Sequence, residues 1–242
     1  MKIFVSLTFD DGSQNYFTRF RPILEKFGFK ATFYIITSQM GLANRMNWKQ
    51  INTLYQQGHE IGSHTHTHHS LIELSDKQLD FELSESKKKL ARFDVSTFSY
   101  PFGDYDKRVI NFTKKYYTAA RTCGDLEGHE KDLGLNIEGL NLFALKTTTF
   151  PLLQKAKKSE DKSWVILVVH DPPKMSLDYA FWSLKKRSLG FQDFLNFFNN
   201  LFRQAYREEN TTKNLLKICR FLKNPSIKIV TVAEGARIFD EE

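Results

Sequence analysis

Two adjacent carboxylates, Asp10 and Asp11, close an apolar run and precede a glycine in VSLTFDDG, residues 5 to 12. Neighbouring carboxylates repel unless a cation holds one of them, so a pair at the end of a buried strand suits divided labour: one ligates a metal, the other takes a proton. An Asp-Asp-Gly turn bonded to nearby amides is the plainer alternative. Five of the seven histidines fall in GHEIGSHTHTHHSL, residues 58 to 71, and neutral imidazole is a common ligand for zinc and similar ions. If this stretch is extended, His64, His66 and His68 share a face. If it turns helically, His64 and His68 share one and His66 points away. A site with two histidines needs a third protein ligand, often a carboxylate in hydrolytic sites, and Asp10 or Asp11 can supply it. A polar surface turn without metal is the competing reading. His170 closes another apolar run and reads from the residues alone equally well as a satisfied strand-end histidine.

These groups must be positioned by the elements around them. Apolar runs predict strands over Ile3 to Thr8, Ala31 to Ile36, Glu60 to Ser63, Thr97 to Tyr100, Tyr117 to Ala120, Trp164 to Val169 and Lys228 to Val232. Helical periodicity predicts helices over Tyr16 to Phe27, Trp48 to Gln56, Ser75 to Phe93, Lys107 to Lys115 and Phe191 to Leu222, the third opening with Ser75 and Gln78 at capping-box spacing. About seven strand-helix alternations imply a mainly parallel sheet, closed like a barrel or open and doubly wound. In either case chemistry collects at the carboxyl ends of strands. Asp10 and Asp11, His64, SYPFGDYD and His170 all fall at such ends.

With 242 residues, 41% hydrophobic and 26% charged, the chain is long enough for one large α/β domain and ordinary in composition, which excludes disordered and collagen-like classes. Net charge is +7, but the basic clusters are short and no nucleic-acid motif accompanies them, so no nucleic-acid partner is expected. Cys123 and Cys219 lack the spacing of a thiolate metal site or a disulfide scaffold. The opening MKIFVSLTF leaves no room for a signal peptide and no run of about 18 apolar residues exists, so the sequence predicts a cytoplasmic protein without a transmembrane segment.

TFDDG at 8 to 12, HEIGSHTHTHHSL at 59 to 71, FSYPFGDYD at 98 to 106 and VILVVHD at 165 to 171 resemble, in order and spacing, the motifs of the polysaccharide deacetylases. These are metal-dependent carbohydrate esterases that share the NodB homology domain. The resemblance runs from Lys2 to about Ile238. It implies a distorted (β/α)7 barrel, one catalytic domain over residues 1 to 242, and a divalent metal, zinc by family habit, on Asp11, His64 and His68. Asp10 becomes the general base and His170 the catalytic acid, while His66 and His69 fall at variable positions. The implied reaction is metal-assisted hydrolysis, in which Asp10 deprotonates water, the backbone N–H of Phe102 holds the oxyanion and His170 protonates the departing amine. Pro101, Phe102 and Tyr105 are candidate substrate contacts.

Two departures stand out. Many family members carry an arginine in the third motif that steadies the base, and Ser99 stands in its place here; the Asp-Trp pair of the fourth motif is absent. Arg121, after the fifth strand, is the expected substitute, reaching Asp10 from another direction. The loops over Ser38 to Asn47, Thr122 to Asn136 and Asp171 to Lys186, the last with Tyr179, Phe181 and Trp182, are expected to wall the groove. The expected substrate is an N-acetylated sugar of the N-acetylglucosamine type, within a glycan or glycoconjugate. The alternatives are hydrolysis of a small amide or cyclic ureide and, since base, ligands and acid are all retained, less readily an inactive glycan-binding module.

Overall fold

The computed structural model describes residues 3–123, 136, 140–147, 163–169 and 211–240. Seven strands run in parallel: β1 (Ile3–Phe9), β2 (Thr32–Ile35), β3 (Glu60–Ser63), β4 (Thr97–Ser99), β5 (Ala119–Arg121), β6 (Ser163–Val169) and β7 (Ile227–Ile229). Their order is β5-β4-β3-β2-β1-β6, with β7 also on β1. Six α-helices are described: α1 (Arg21–Phe27), α2 (Trp48–Gln56), α3 (Asp76–Lys89), α4 (Lys107–Thr113), α5 (211–222) and α6 (Val232–Asp240). The sheet curls into the distorted (β/α)7 barrel that the alternation of elements and the resemblance lead one to expect.

β1 is the axis of this sheet. It pairs with β6 from Ile3↔Ser163 to Phe9↔Val169, and its other edge is shared, Ile3 to Val5 with β7 and Thr8 and Phe9 with β2. All seven of its residues are buried, as the continuous apolar run of a central parallel strand requires. Cross-strand packing tightens where small residues permit it. Gly62 in β3 faces Tyr34 in β2, and a Cβ on Gly62 would lie 2.4 Å from the tyrosine ring. Gly235 in α6 likewise lets Trp164 of β6 pass beneath the helix, where a Cβ would come within 2.3 Å of the indole.

The predicted elements recur with local differences that have physical causes. The helix expected from Tyr16 begins as a π-helical turn, Tyr16–Phe20, and becomes α1 at Arg21, next to Pro22, which has no N–H to continue the earlier bonding. The strand expected to reach Val232 stops at Ile229, because Thr231 and Glu234 form a reciprocal cap that starts α6: Thr231 N–H donates to Glu234 Oε2 at 2.7 Å and Glu234 N–H to Thr231 Oγ1 at 3.3 Å. Of the helix expected over Phe191 to Leu222, 211–222 lies within the described residues. Among the described residues no helix is long and apolar enough to cross a membrane.

Candidate metal centre

The carboxyl ends of β1 and β3 sit two strands apart and deliver three donors to one point. Asp11 Oδ1 lies 3.6 Å from His64 Nε2 and 3.4 Å from His68 Nε2, and the two imidazole nitrogens are 3.2 Å apart. Zinc bonds of about 2.0–2.2 Å at tetrahedral angles put neighbouring donors about 3.3 Å apart, so this triangle fits one edge-sharing set around a single ion. Three protein donors also leave positions open, the pattern of catalytic rather than structural sites.

Both imidazoles are prepared to offer a lone pair. His64 is 3% exposed, and its Nδ1 pairs with the Ser99 carbonyl at 2.7 Å; only a protonated Nδ1 can donate there, which leaves Nε2 unprotonated in the neutral ring. Burial, and then the neighbouring His64, push the His68 pKa down to about 4, which favours the neutral form of that ring.

Left-handed backbone marks the same place. Asp11, Thr65, His68 and Phe102 have φ of 68°, 66°, 70° and 58°, conformations that cost roughly 1–3 kcal/mol each in non-glycine residues and persist only where surrounding contacts over-determine them. At the acid turn those contacts come from the loop over 38–47. Arg45 Nη1 donates to Asp11 O at 2.7 Å, Met46 N–H to Gly12 O at 2.8 Å, and Gln14 N–H to Asn44 O at 2.9 Å. This loop, expected as a groove wall, clamps the turn that carries Asp11. The other two expected walls fall largely outside the described residues, as do Tyr179, Phe181 and Trp182.

Asp10 sits one residue from the proposed ligand but faces inward. It is 3% exposed, and its Oδ1 accepts a hydrogen bond from Nη2 of the fully buried Arg121. Arg121 Nη1 donates to Thr122 O at 2.9 Å, and its guanidinium carbon lies 4.8 Å from the centroid of the Tyr34 ring. Burial works against the guanidinium charge, but Asp10 first, then Tyr34 and Cys123, hold the arginine pKa above its ordinary value. The register explains the change of strand: Ser99 of β4 and Arg121 of β5 are direct cross-strand partners, so the small side chain stands beside the position from which the arginine reaches Asp10.

Phe102 tops a turn that opens with buried Pro101 and is closed by Gly103 N–H to Tyr100 O and Asp104 N–H to Pro101 O, both 3.1 Å. Its own N–H stands outside these two bonds. The Phe102 ring is 50% exposed and meets His68 edge to face at 4.7 Å. Gly103 is required there, since a Cβ would press on Cys123 at 3.2 Å and φ is 76°. Tyr105 stacks on Tyr100 at 5.3 Å, half-buried. His170 lies outside the described residues; the residue before it, Val169, is level with Phe9, the residue before Asp10. His66 points its Nδ1 at Thr37 Oγ1, 2.9 Å away, and His69 its Nδ1 at Thr67 Oγ1, 2.6 Å away.

Three contributors were not singled out from the sequence. Glu82 of α3 accepts from His66 N–H at 2.9 Å and Thr67 N–H at 2.8 Å. Its signal was present, because an acid at 82 interrupts the buried stripe of Leu79, Leu83 and Ser86. Arg45 and Tyr34 gave no signal in motif or periodicity.

The polysaccharide deacetylase family model matches residues 2–120. Peptidoglycan-N-acetylglucosamine deacetylase of Bacillus cereus is 31% identical over 113 residues, 46% of this chain and 51% of that protein. Chitin deacetylase of Arthroderma benhamiae is 27% identical over 195 residues, 76% of this chain and 49% of that protein. The chain therefore spans about half the length of these relatives. Among solved structures, the Xyl-CE4 domain of a multidomain xylanase from the Trinervitermes trinervoides hindgut metagenome superposes with a TM-score of 0.57 at 19% identity, covering 97% of this chain and 89% of that one, a likeness of fold.

Proposed function

We propose, since residues 2–120 match the polysaccharide deacetylase family model, that this chain, acting as one catalytic unit over residues 1–242, hydrolyses the N-acetyl group of an N-acetylated sugar of the N-acetylglucosamine type. Asp11, His64 and His68 hold the divalent metal, zinc first by the match of distances. The observation that carries the reading is the adjacency of that donor triangle to a second carboxylate, Asp10, which is buried and paired with arginine rather than turned toward the same ion. The two relatives named for N-acetylglucosamine and chitin support the sugar class.

Bound at the triangle, the metal supplies Lewis acidity toward the acetyl carbonyl and the attacking water. Asp10 accepts the proton of that water, and the Arg121 guanidinium against it favours the charged, proton-accepting form. The Phe102 N–H, aimed by the Pro101–Gly103 turn, donates to the oxyanion, and the Phe102 ring beside His68 offers an apolar face to the acyl group or the sugar. Tyr105 serves as backing for that turn through Tyr100. His170 returns a proton to the leaving amine.

Acetate release across chitooligosaccharides, peptidoglycan fragments and small amides, with zinc supplied, tests the proposal. Release from N-acetylated sugars is expected, and release from small amides alone would replace the sugar with a small C–N substrate.

A further inference from the structure

Glu82 is 5% exposed and lies on α3, well outside every motif of the proposed centre. A charged side chain in that setting is rarely buried without a task. Its Oε2 accepts both His66 N–H, at 2.9 Å, and Thr67 N–H, at 2.8 Å, and its Oε1 accepts the Thr67 hydroxyl at 2.5 Å. The opposite edge of the same segment is tied to the end of β2: Thr37 N–H donates to Thr65 O at 3.2 Å and Ser38 N–H to His66 O at 2.9 Å. His68 N–H folds back to Thr65 Oγ1 at 2.9 Å.

The segment between the two histidines is therefore gripped from both sides, its amides by Glu82 and its carbonyls by Thr37 and Ser38. The two left-handed residues, Thr65 and His68, flank the pair of amides that Glu82 binds. Without an acceptor at that point, two half-buried N–H groups would turn elsewhere and the curl that sets the His68 ring 3.2 Å from His64 would relax. We propose that Glu82 is a positioning residue for the metal: it touches neither ion nor substrate, and it fixes the curl of residues 65–68 that converges the two imidazoles. The proposal rests on the reading of Asp11, His64 and His68 as ligands.

A glutamine at 82 keeps one oxygen for the two amides, and its NH2 can donate to the Thr67 hydroxyl, whereas a leucine of similar bulk offers nothing. The test is titration of metal-free full-length protein with cobalt(II), read by affinity and by the ligand-field absorption that reports coordination geometry. Glu82→Leu is expected to weaken cobalt binding about 10- to 100-fold and to change the spectrum, in the range of groups that orient metal ligands, while Glu82→Gln loses less than about tenfold and keeps the wild-type spectrum. Thr67→Val, which removes the hydroxyl contacts to Glu82 and His69 but leaves both amides on Glu82, should give a smaller change of the same kind and serves if Glu82→Leu does not fold. Wild-type affinity and spectrum in the folded variants would overturn the role of Glu82 alone, provided Asp11→Asn no longer binds cobalt. Failure of the wild-type protein to bind stoichiometric cobalt or zinc would instead overturn the ligand reading itself.

Discussion

Two carboxylates, Asp10 buried and Glu60 half-buried, occupy opposite ends of the parallel sheet and are held in opposite ways. Asp10, at the carboxyl end of β1, faces a guanidinium. Glu60, at the amino end of β3, faces neutral donors: Thr97 Oγ1, Thr32 Oγ1 at 2.8 Å and the Ala233 N–H at the start of α6 at 2.9 Å. Burial pushes the Glu60 pKa up, and those hydrogen bonds offset only part of that push. An acid bound by hydroxyls and a helix amide locks the last helix onto the sheet. An acid bound by arginine, next to the Asp11–His64–His68 triangle, is the one we propose exchanges protons. The contrast fits the general division of such barrels, with stability at the amino ends of strands and chemistry at the carboxyl ends.

The widest gap between the two ends should appear on removing what makes one of them chemical. Asp11→Asn or His68→Ala is expected to abolish bound metal and acetate release together, as elemental analysis and an acetate assay would record. Asp10→Asn should retain metal and lose about 10²- to 10⁴-fold in turnover, the usual share of a general base; a metal-free Asp10→Asn protein would exchange the two roles. Arg121→Ala leaves Asp10 buried without its cation and should lower stability by about 3–5 kcal/mol in urea unfolding, with turnover reduced as well. At the other end Glu60→Gln should cost only about 1–2 kcal/mol, and metal content and turnover should not follow. Lost turnover in folded Glu60→Gln would break the division between the ends.

A pH experiment sharpens the structural end. His59, beside Glu60, accepts the Ala31 N–H on Nδ1 at 3.2 Å, and burial, then Lys30 and Arg21, push its pKa down to about 4. The unfolded chain takes up that proton near pH 6.5 and the folded one only near pH 4, so the stability this histidine confers is full above about pH 6.5 and lost on acidification toward pH 4. The loss amounts to about 3 kcal/mol. Glu60 runs the other way in acid, so the measurement is the difference between wild type and His59→Asn, which keeps an acceptor and cannot titrate. The smallest effect is expected for His66→Ala, whose ring bonds to Thr37 rather than to the donor triangle: metal affinity should fall less than tenfold in the same titration.

Much of this organisation was legible in the sequence because its signals are local. Strand runs such as Ile3 to Thr8 and Glu60 to Ser63 carry their burial in their composition, and the third helix announces its start with Ser75 and Gln78, where Ser75 N–H donates to Gln78 Oε1 at 3.1 Å. The spacing of Asp11, His64 and His68 was likewise readable, and the structure brings those three side chains together. The approach of Arg121 to Asp10 could be anticipated only as a compensation for Ser99. What made it physical, the β4–β5 register, is a long-range quantity that no local pattern encodes. The grips of Arg45 and Glu82 escaped for the same reason. Arg45 acts on a backbone carbonyl, which leaves no trace in residue type, and Glu82 left only the trace of an acid within a buried helical stripe.

The central place of β1 bears on how the protein comes to exist in time. Its neighbours along the full strand are residues 163–169, and at its start residues 227–229, so the strand that leads into both acids is made well before the partners that enclose it. Closing such distant pairs is entropically slow. Until they close, the apolar residues Ile3 to Phe9 present a bare edge. A refolding chain should therefore acquire its β2–β3 pairing early and place Asp10 and Asp11 only in the final, rate-limiting step, with the greatest tendency to aggregate in the interval between.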